Sequence, residues 1–280
     1  RASANSADSA TRGGELTVDA NAVALDTLTA AVEQTTADGP VTHFTGAWDV
    51  RRRNGDLNLS RSIKSADVTI AADNGSVSVG ASGKIDASGA KGGNIQLFSR
   101  NGDVHLAGQL LARATDRIDN ASNAGTRGQG GSVLLAADGS GKVFTATGSG
   151  IDVGVADGSL ASGGKVNLRA GASASIVNAA DLNVQLAGTI NGASDVGAEI
   201  VSKYIGSSLI AGTTSGTTLG LTSIRSALNS LYSAGNMATL RGHLGFGSPL
   251  YHVRAGVDIG SATTADFNLG ASAADLDFSS

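Results

Sequence analysis

The sequence contains no cysteine, only two prolines and one methionine, and aromatic residues make up 4% of its 280 residues. Without cysteine there are no disulfides, so the fold must be stabilised by packing and by hydrogen bonds between strands. Two prolines exclude a proline-rich linker, and glycine does not recur at every third position, which excludes collagen. No run of about 18 apolar residues occurs, so the sequence predicts no membrane-spanning helix.

The charge balance also excludes classes of partner. The formal net charge is −4 and the isoelectric point is near 5.5, so there is no global basic field to hold nucleic acid. Because the sequence begins at Arg1 without a methionine or a signal peptide, we expect it to be a fragment or a processed product of a longer chain.

Glycine is abundant, with 40 residues, and it stands in a phrase that recurs along the chain. The phrase is Gly-Gly followed by alternating polar and aliphatic residues, and a looser form begins with Asn-Gly. Each copy predicts a tight turn and then a short strand with every second residue facing inward. The copies are Gly92–Leu97, Gly130–Leu135 and Gly163–Leu168, with looser forms at Asn54–Leu59, Asn74–Val79 and Asn101–Leu106.

The spacing of the phrases predicts a repeat of about 18 to 20 residues. Leu57, Val77 and Ile95 are 20 and 18 residues apart, and Val166 and Val184 are 18 apart. Half-period echoes fall between them at Val68, Ile85 and Val104. A repeat of this length with two or three short strands predicts an all-β fold, a parallel β-helix. The alternative is a run of antiparallel hairpins, because Asn-Gly also favours type I′ turns.

The alternation within each phrase predicts which side chains lie inside. These residues are aliphatic and are separated by one outward-facing residue. They are Val77, Val79, Ile95, Leu97, Val104, Leu106, Val133, Leu135, Val166 and Leu168.

The chain is predicted to have four segments. They are irregular N-terminal coils at 1–53, the parallel β-helix at 54–190, an insertion with one or two helices at 191–248, and returning β-helix coils at 249–280. Within the first segment, Asn21–Thr35 has aliphatic residues at helical spacing and forms either a helix against the strands or an irregular coil. Within the insertion, helix is predicted over Thr222–Thr239, interrupted near Gly235, and is expected to cover part of the strand stack.

Two kinds of phrase carry a resemblance to a known family. Gly83–Gly89 reads Gly-Lys-Ile-Asp-Ala-Ser-Gly and adjoins the Gly-Gly phrases, and Ala238–Gly245 is followed by Tyr251–Ile259, Tyr-His-Val-Arg-Ala-Gly-Val-Asp-Ile. Together they resemble the filamentous haemagglutinin family of bacterial exoproteins, over most of residues 54–280. Two mild departures are Ala255, where the family pattern has proline, and Asp258, where it has glutamate.

The resemblance implies a right-handed parallel β-helix with a short helical insertion. It further implies a structural or adhesive segment of a large, secreted, cell-surface protein of a Gram-negative bacterium, with a surface glycan or receptor as partner. An outer-membrane transporter would export the parent chain by two-partner secretion. The Asn-Pro motif of the family's secretion domain is not visible, since neither Pro40 nor Pro249 follows an asparagine.

Residues able to perform chemistry are scattered, and we expect no catalytic, cofactor-binding or metal-binding residue and no enzyme. No cysteine nucleophile is present, and the histidines lack close metal-ligand spacing. The alternative is a polysaccharide lyase or hydrolase, which would need carboxylates clustered on one face of the stack. The residues considered are His43, His105, His243, His252, Glu15, Glu33, Glu199, and Asp67, Asp86, Asp103 and Asp181, which stand at turns or strand starts where Asp accepts hydrogen bonds from local backbone donors.

Two further expectations concern the surface. Trp48–Arg53 is the only basic run; it predicts an outward polar strand before the Asn54-Gly55 turn, with contact to a glycan or an anionic surface as the alternative. A stack of strands has two open ends with unpaired edges. We therefore expect the chain to continue into further coils of its parent, or to form a homo-oligomer or filament by end-to-end stacking.

Overall fold

The computed structural model describes residues 13–36, 39–42, 44–115, 128–156, 158, 162–171, 183–206, 229–230, 232–244 and 250–261. Strands dominate, and two helices are described over their full length, α1 (Leu25–Val32) and α2 (Ala234–His243), while residues 229–230 are also helical. Neither is long and apolar enough to cross a membrane. The strands are β1 (Glu15–Ala20), β2 (Glu33–Thr36), β3 (Gly39–Thr42), β4 (Ala47–Asn54), β5 (Leu57–Leu59), β6 (Ser62–Lys64), β7 (Asp67–Asn74), β8 (Val77–Val79), β9 (Lys84–Asp86), β10 (Asn94–Ser99), β11 (Val104–Leu106), β12 (Gln109–Leu111), β13 (Ser132–Ala137), β14 (Val143–Thr145), β15 (Gly150–Asp152), β16 (Gly164–Gly171), β17 (Val184–Leu186), β18 (Thr189–Asn191), β19 (Ala193–Gly206) and β20 (Tyr251–Ser261).

Three parallel sheets are built from these strands. Sheet 1 has the order β1-β4-β7-β10-β13-β16-β19-β20, sheet 2 has β17-β14-β11-β8-β5, and sheet 3 has β18-β15-β12-β9-β6. From β4 to β19 the chain passes through sheets 1, 2 and 3 in turn before it returns to sheet 1. Parallel pairing requires such a return, because each strand must start at the same end as its neighbour. The alternative of consecutive antiparallel hairpins is therefore wrong for these sheets, and among the described strands only β2 and β3 pair antiparallel.

The register shows that the predicted repeat of 18 to 20 residues is right for the first circuit of sheets 1 and 2, which starts at β4 and where Ala47 pairs with Asp67 and Leu57 with Val77, and wrong for the later circuits. Val77 pairs with Val104 in sheet 2, whereas Ile95 pairs with Val68 in sheet 1. The half-period echoes are thus not half repeats: Val104 belongs to sheet 2 with Val77, Val68 to sheet 1 with Ile95, and Ile85 to sheet 3. One circuit, a passage through the three sheets that returns to the first, carries three strands. Hydrogen bonds between equivalent positions of neighbouring circuits join residues 20 apart at Asp56 and Ser76 but 39 apart at Asp103 and Lys142. Circuit length varies because extra residues enter at the corners, where polar loops meet solvent.

The inside of the stack is confirmed as predicted. All ten side chains expected inside are at most 1% exposed. The alternation of a strand points every second side chain inward, where it packs against the side chains at the equivalent positions of the neighbouring circuits. Leu97, for example, lies between Ile70 and Leu135 in sheet 1. The core consists almost wholly of valine, isoleucine, leucine and alanine, with Trp48 as its largest side chain.

The N-terminal end of the stack is covered. The helix expected within Asn21–Thr35 is present as α1, which lies against β5, the first strand of sheet 2, and buries Leu25 and Thr29. The Asp26 carboxylate accepts a 2.8 Å hydrogen bond from the backbone N–H of Ser60, just after β5. Strand β3 lies against β6, the first strand of sheet 3. The expectation of an open N-terminal end is therefore wrong for sheets 2 and 3, and β1 is the edge strand of sheet 1 among the described residues.

Parallel strands are not confined to residues 54–190. Strands β1 and β4 begin before residue 54, and β19 extends sheet 1 over residues predicted to belong to the insertion. Their period-2 pattern is less visible because β4 carries arginines at its end and β19 contains alanine and glycine. Strand β20 returns to sheet 1 as predicted, while residues 262–280 lie outside the described part.

Helix α2 covers the strand stack as expected, and the predicted interruption of the helical segment falls just before it. Residues 222–228 lie outside the described part, residues 229–230 are helical, and the chain turns at 232–233, so the interruption lies a few residues before Gly235, which is inside α2. Leu240 and Leu244 are 1% and 2% exposed and join the core cluster. The helix therefore buries apolar side chains next to β20.

The Asn-Gly turns stack on one another at the corner between sheets 1 and 2. The side-chain amide of Asn54 donates to Asn21 Oδ1 at 2.5 Å, that of Asn74 donates to Asn54 Oδ1 at 3.2 Å, and that of Asn101 donates to Asn74 Oδ1 at 3.0 Å. We call this row the asparagine ladder. The ladder joins successive circuits by hydrogen bonds between side chains, in addition to the backbone hydrogen bonds of the sheets. Stacked amides stabilise repeated strands in the same way.

Candidate surface-contact cleft

The Gly-Gly phrases stack at the corner where the chain leaves sheet 3 and enters sheet 1. The backbone N–H of Ser132 donates to Gly93 O at 3.0 Å, and that of Lys165 donates to Gly131 O at 3.0 Å. A Cβ atom at Gly93 would collide with the carbonyl oxygen of Ala66, and one at Gly164 would collide with that of Gly131. Glycine is required here because neighbouring circuits approach backbone to backbone.

The missing side chains leave an open cleft of about 400 Å³ at this corner. Polar side chains of β10, β13, β16 and β19 and of the preceding turns surround a floor of glycine backbone. Its lining residues are Lys91, Gly92, Asn94, Gln129, Gly130, Gly131, Ser132, Ser162, Gly163, Gly164, Lys165 and Ser194. Among the described residues, no carboxylate lines the cleft.

Several polar groups of the cleft are already used within the protein. The Asn94 amide donates to Asp67 Oδ1 at 2.7 Å, and the Ser132 hydroxyl donates to Asn94 Oδ1 at 2.7 Å. The Ser194 hydroxyl donates to Gly163 O at 2.8 Å. These bonds continue the stacking of the circuits and fix the wall of the cleft.

The ammonium groups of Lys91 and Lys165 are exposed and have no hydrogen bond or ion pair within the described part of the chain. The register partner of Lys165 on β19 is Asp195, but this carboxylate is held by Arg254 at 2.7 Å and lies 3.2 Å from His252 Nε2. As far as the described residues show, the cleft therefore presents two unpaired cations together with the exposed amide of Gln129. Such a set can bind anionic or hydroxyl-rich groups, and it offers no carboxylate as a general acid or base.

The basic run is an outward polar strand, as the sequence indicated, and its charges are satisfied by the protein itself. Arg51 forms a bidentate pair with Asp73 at 2.9 to 3.2 Å. Arg52 donates to the backbone carbonyls of Val23 at 3.0 Å and Asp56 at 2.8 Å. Contact with an anionic surface would have to displace these partners.

Arg53 forms the second ion pair of the run, with Asp19 on β1, through two bonds of 2.9 Å. The hydrogen bond from Arg53 lowers the pKa of Asp19 below its ordinary value of 3.8, and the same contact raises the pKa of Arg53. Because the carboxyl pKa is lowered, the pair stabilises the folded chain at neutral pH, and this contribution is lost as the pH falls below about 3.8. Both side chains are well exposed, so the contribution is small.

The aspartates considered for catalysis hold the circuits together. The Asp103 carboxylate accepts from the backbone N–H of Lys142 at 2.8 Å, on the next circuit, and Asp67 accepts from Asn94. Asp86 accepts from the backbone N–H of Ser88 at 3.0 Å, the local pattern expected from sequence. The expected local role is thus right for Asp86 and wrong for Asp103, whose partner lies one circuit away, while Asp67 has a partner on the next circuit. Asp181 lies outside the described residues.

The histidines are dispersed over the described structure. His105 faces outward on sheet 2, as predicted, and its ring stacks on Phe144 with centroids 4.2 Å apart. His252 lies on β20 and His243 in α2, while His43 is outside the described part. Within the described residues, no group of three or more His, Asp or Glu side chains is placed to hold a metal ion.

Sequence reasoning treated the Gly-Gly phrases as turns and did not identify the cleft. The sequence did contain a signal for a basic cleft, since Lys91 directly precedes Gly92-Gly93 and Lys165 directly follows Gly163-Gly164. Recognising it required knowing that these phrases stack on one another.

Comparisons of the chain with models of protein families, with curated proteins and with solved structures find no match. The functional proposal accordingly starts from the strand stack and the cleft.

Proposed function

We propose that the chain is a right-handed parallel β-helix that serves as a non-catalytic structural and adhesive segment of a large bacterial surface exoprotein of the filamentous haemagglutinin type. The parent chain would be secreted by a Gram-negative bacterium through an outer-membrane transporter. Support for the β-helix comes from the rotation of the chain through three parallel sheets and from the in-register stacking of its turns.

A structural role is supported by how the polar groups are used. Asparagine, aspartate and serine side chains at the corners bond to the same positions on neighbouring circuits, as in the asparagine ladder and at Asp103. Such repeated stacking stabilises an elongated stack, in which each circuit contacts only its neighbours. End-to-end assembly, if it occurs, would have to use β1 or the C-terminal end, because α1 and β3 cover the first strands of sheets 2 and 3.

The adhesive role rests on one observation: the cleft presents Lys91 and Lys165 without partners among the described residues, beside Asp195, whose carboxylate is already paired with Arg254. Free ammonium groups over a groove of glycine backbone are suited to acidic surface polymers, whose charges they can meet without displacing an internal ion pair.

We therefore expect the double substitution Lys91→Ala and Lys165→Ala to weaken binding to an immobilised acidic polysaccharide about tenfold, which corresponds to about 1.4 kcal/mol. The matched control is Arg100→Ala with Lys142→Ala, which removes the same charge from exposed positions outside the cleft. Surface plasmon resonance at several salt concentrations measures both, and wild-type binding should fall as salt rises. Equal loss in the two double variants would contradict a role for the cleft.

The same polymers separate adhesion from the alternative of a polysaccharide-cleaving enzyme. Incubation of acidic and neutral polysaccharides with the protein should yield neither new reducing ends nor unsaturated products. Either product, lost on substitution of an outward carboxylate, would favour a lyase or hydrolase over the proposed function.

A further inference from the structure

The chain contains four Asn-Gly steps, at Asn54, Asn74, Asn101 and Asn191. Such a step can deamidate without an enzyme. The backbone nitrogen of the glycine attacks the asparagine Cγ, ammonia leaves, and water then opens the resulting succinimide to aspartate or isoaspartate. Glycine favours the attack because it has no Cβ to hinder the approach. The reaction requires the asparagine side chain to rotate toward its own backbone, so hydrogen bonds that hold the side chain oppose it.

Three of the four asparagines are members of the asparagine ladder. The Asn54 and Asn101 amides each donate to a neighbouring asparagine, and the Asn74 amide donates to both Asn54 Oδ1 and the backbone carbonyl of Arg53, the latter at 3.1 Å. In addition, the backbone N–H of Gly55, the attacking group for Asn54, donates to Asn74 O at 2.7 Å. Rotation of any of these side chains breaks at least one bond between circuits.

Asn191 is placed differently. It is the last residue of β18, the terminal strand of sheet 3 among the described residues, so no further described strand lies on that side. Its side chain is exposed and makes no hydrogen bond within the described part, where the N–H of Gly192 also lacks an acceptor. Gly192 has φ of +66°, a left-handed conformation that suits glycine.

We propose that Asn191-Gly192 is a site of spontaneous deamidation in the folded protein and that the asparagine ladder protects the other three steps. The products have consequences for the last circuit. A carboxylate at position 191 would stand next to Asp152, its register partner on β15, and like charges on adjacent strands repel. Arg113, 3.4 Å from the Asp152 carboxylate, offsets only part of this repulsion. Isoaspartate would add a backbone carbon directly before Gly192. Gly192 lies so close to the backbone of Gly154 that a Cβ atom at position 192 would not fit, so there is no room for a longer backbone. Deamidation thus loosens the end of sheet 3 with time.

The test is a time course of the purified chain at mildly alkaline pH, followed by peptide mapping with isoaspartate detection. We expect Asn191 to convert at least about tenfold faster than each ladder asparagine, since one hydrogen bond of ordinary strength accounts for such a ratio. Conversion of Asn74 or Asn101 as fast as Asn191, or no conversion at Asn191, would overturn the proposal.

Two further comparisons separate the effect of the fold from that of local sequence. In strong denaturant, all four steps should convert at similar rates, and a persistent lead of Asn191 would show that the fold does not select it. In the folded Asn74→Ala variant, Asn101 loses the acceptor of its amide and should convert faster, whereas Asn58→Ala, on an exposed position of sheet 2, should leave its rate unchanged. An unchanged Asn101 rate in Asn74→Ala would also overturn the protective role of the ladder. Binding to acidic polysaccharide does not enter this test, so its outcome is independent of the proposed function.

Discussion

Substituting Leu97 by aspartate is expected to unfold the central circuits, whereas aspartate at the adjacent Gln96 is expected to leave them folded. Leu97 has no exposed surface and lies between Ile70 and Leu135, so the new carboxylate would be buried against aliphatic side chains without a partner. An uncompensated buried charge costs about 3 to 5 kcal/mol, a large fraction of the roughly 5 to 15 kcal/mol that stabilises a domain.

Gln96 provides a matched control because it lies on the same strand and faces solvent. Its substitution by aspartate adds the same charge on the outer face of sheet 1. Circular dichroism during urea unfolding measures both variants, and only Leu97→Asp should lower the midpoint strongly or abolish the transition. Similar midpoints for the two variants would mean that the inward and outward faces of β10 are wrongly assigned.

The second large effect is expected at the glycine corner. Gly93→Ala should destabilise the chain by more than about 2 kcal/mol, because the new Cβ meets backbone carbonyl oxygens on two sides and backbone cannot move away as a flexible side chain could. The obstructing atoms are the carbonyl oxygens of Ala66 and Ala87.

Gly80→Ala is the control for this substitution. At Gly80 the nearest atom to a new Cβ is Leu59 O at 3.6 Å, an ordinary contact, so alanine should change the free energy of unfolding by less than about 1 kcal/mol. Both values come from urea unfolding followed by circular dichroism. Equal stability of the Gly93 and Gly80 variants would show that the circuits do not approach as closely as the corner geometry requires.

The inward and outward positions were predictable from sequence because they depend only on the two-residue period of a strand. Val133 and Leu135, for example, alternate with polar or outward residues whatever lies on the next circuit. The helix at Leu25–Val32 was predictable for the same reason, since helical spacing is also local.

The circuit length was not predictable by the same means. Val77 and Ile95 follow similar turns and have similar side chains, yet they belong to different sheets, so their spacing does not measure a circuit. Residues added at the corners change the length from one circuit to the next, while the strands of sheets 2 and 3 all keep the same length. Contacts that depend on stacking, such as Asp103 with Lys142 and the pair of lysines at the cleft, therefore could not be derived from the pattern.

Disulfide cross-linking between engineered cysteines tests the stacking of circuits most directly, and the cysteine-free chain leaves no competing thiol. Thr69 and Gln96 are register partners on adjacent strands of sheet 1, where backbones lie about 4.8 Å apart, within reach of a disulfide. Ser78 and Gln96 would be neighbours if the repeat were 18 residues, but they lie in different sheets. The three-sheet stack predicts that Thr69→Cys with Gln96→Cys forms an intramolecular disulfide on mild oxidation and that Ser78→Cys with Gln96→Cys does not. Cross-linking of the second pair and not the first would contradict it.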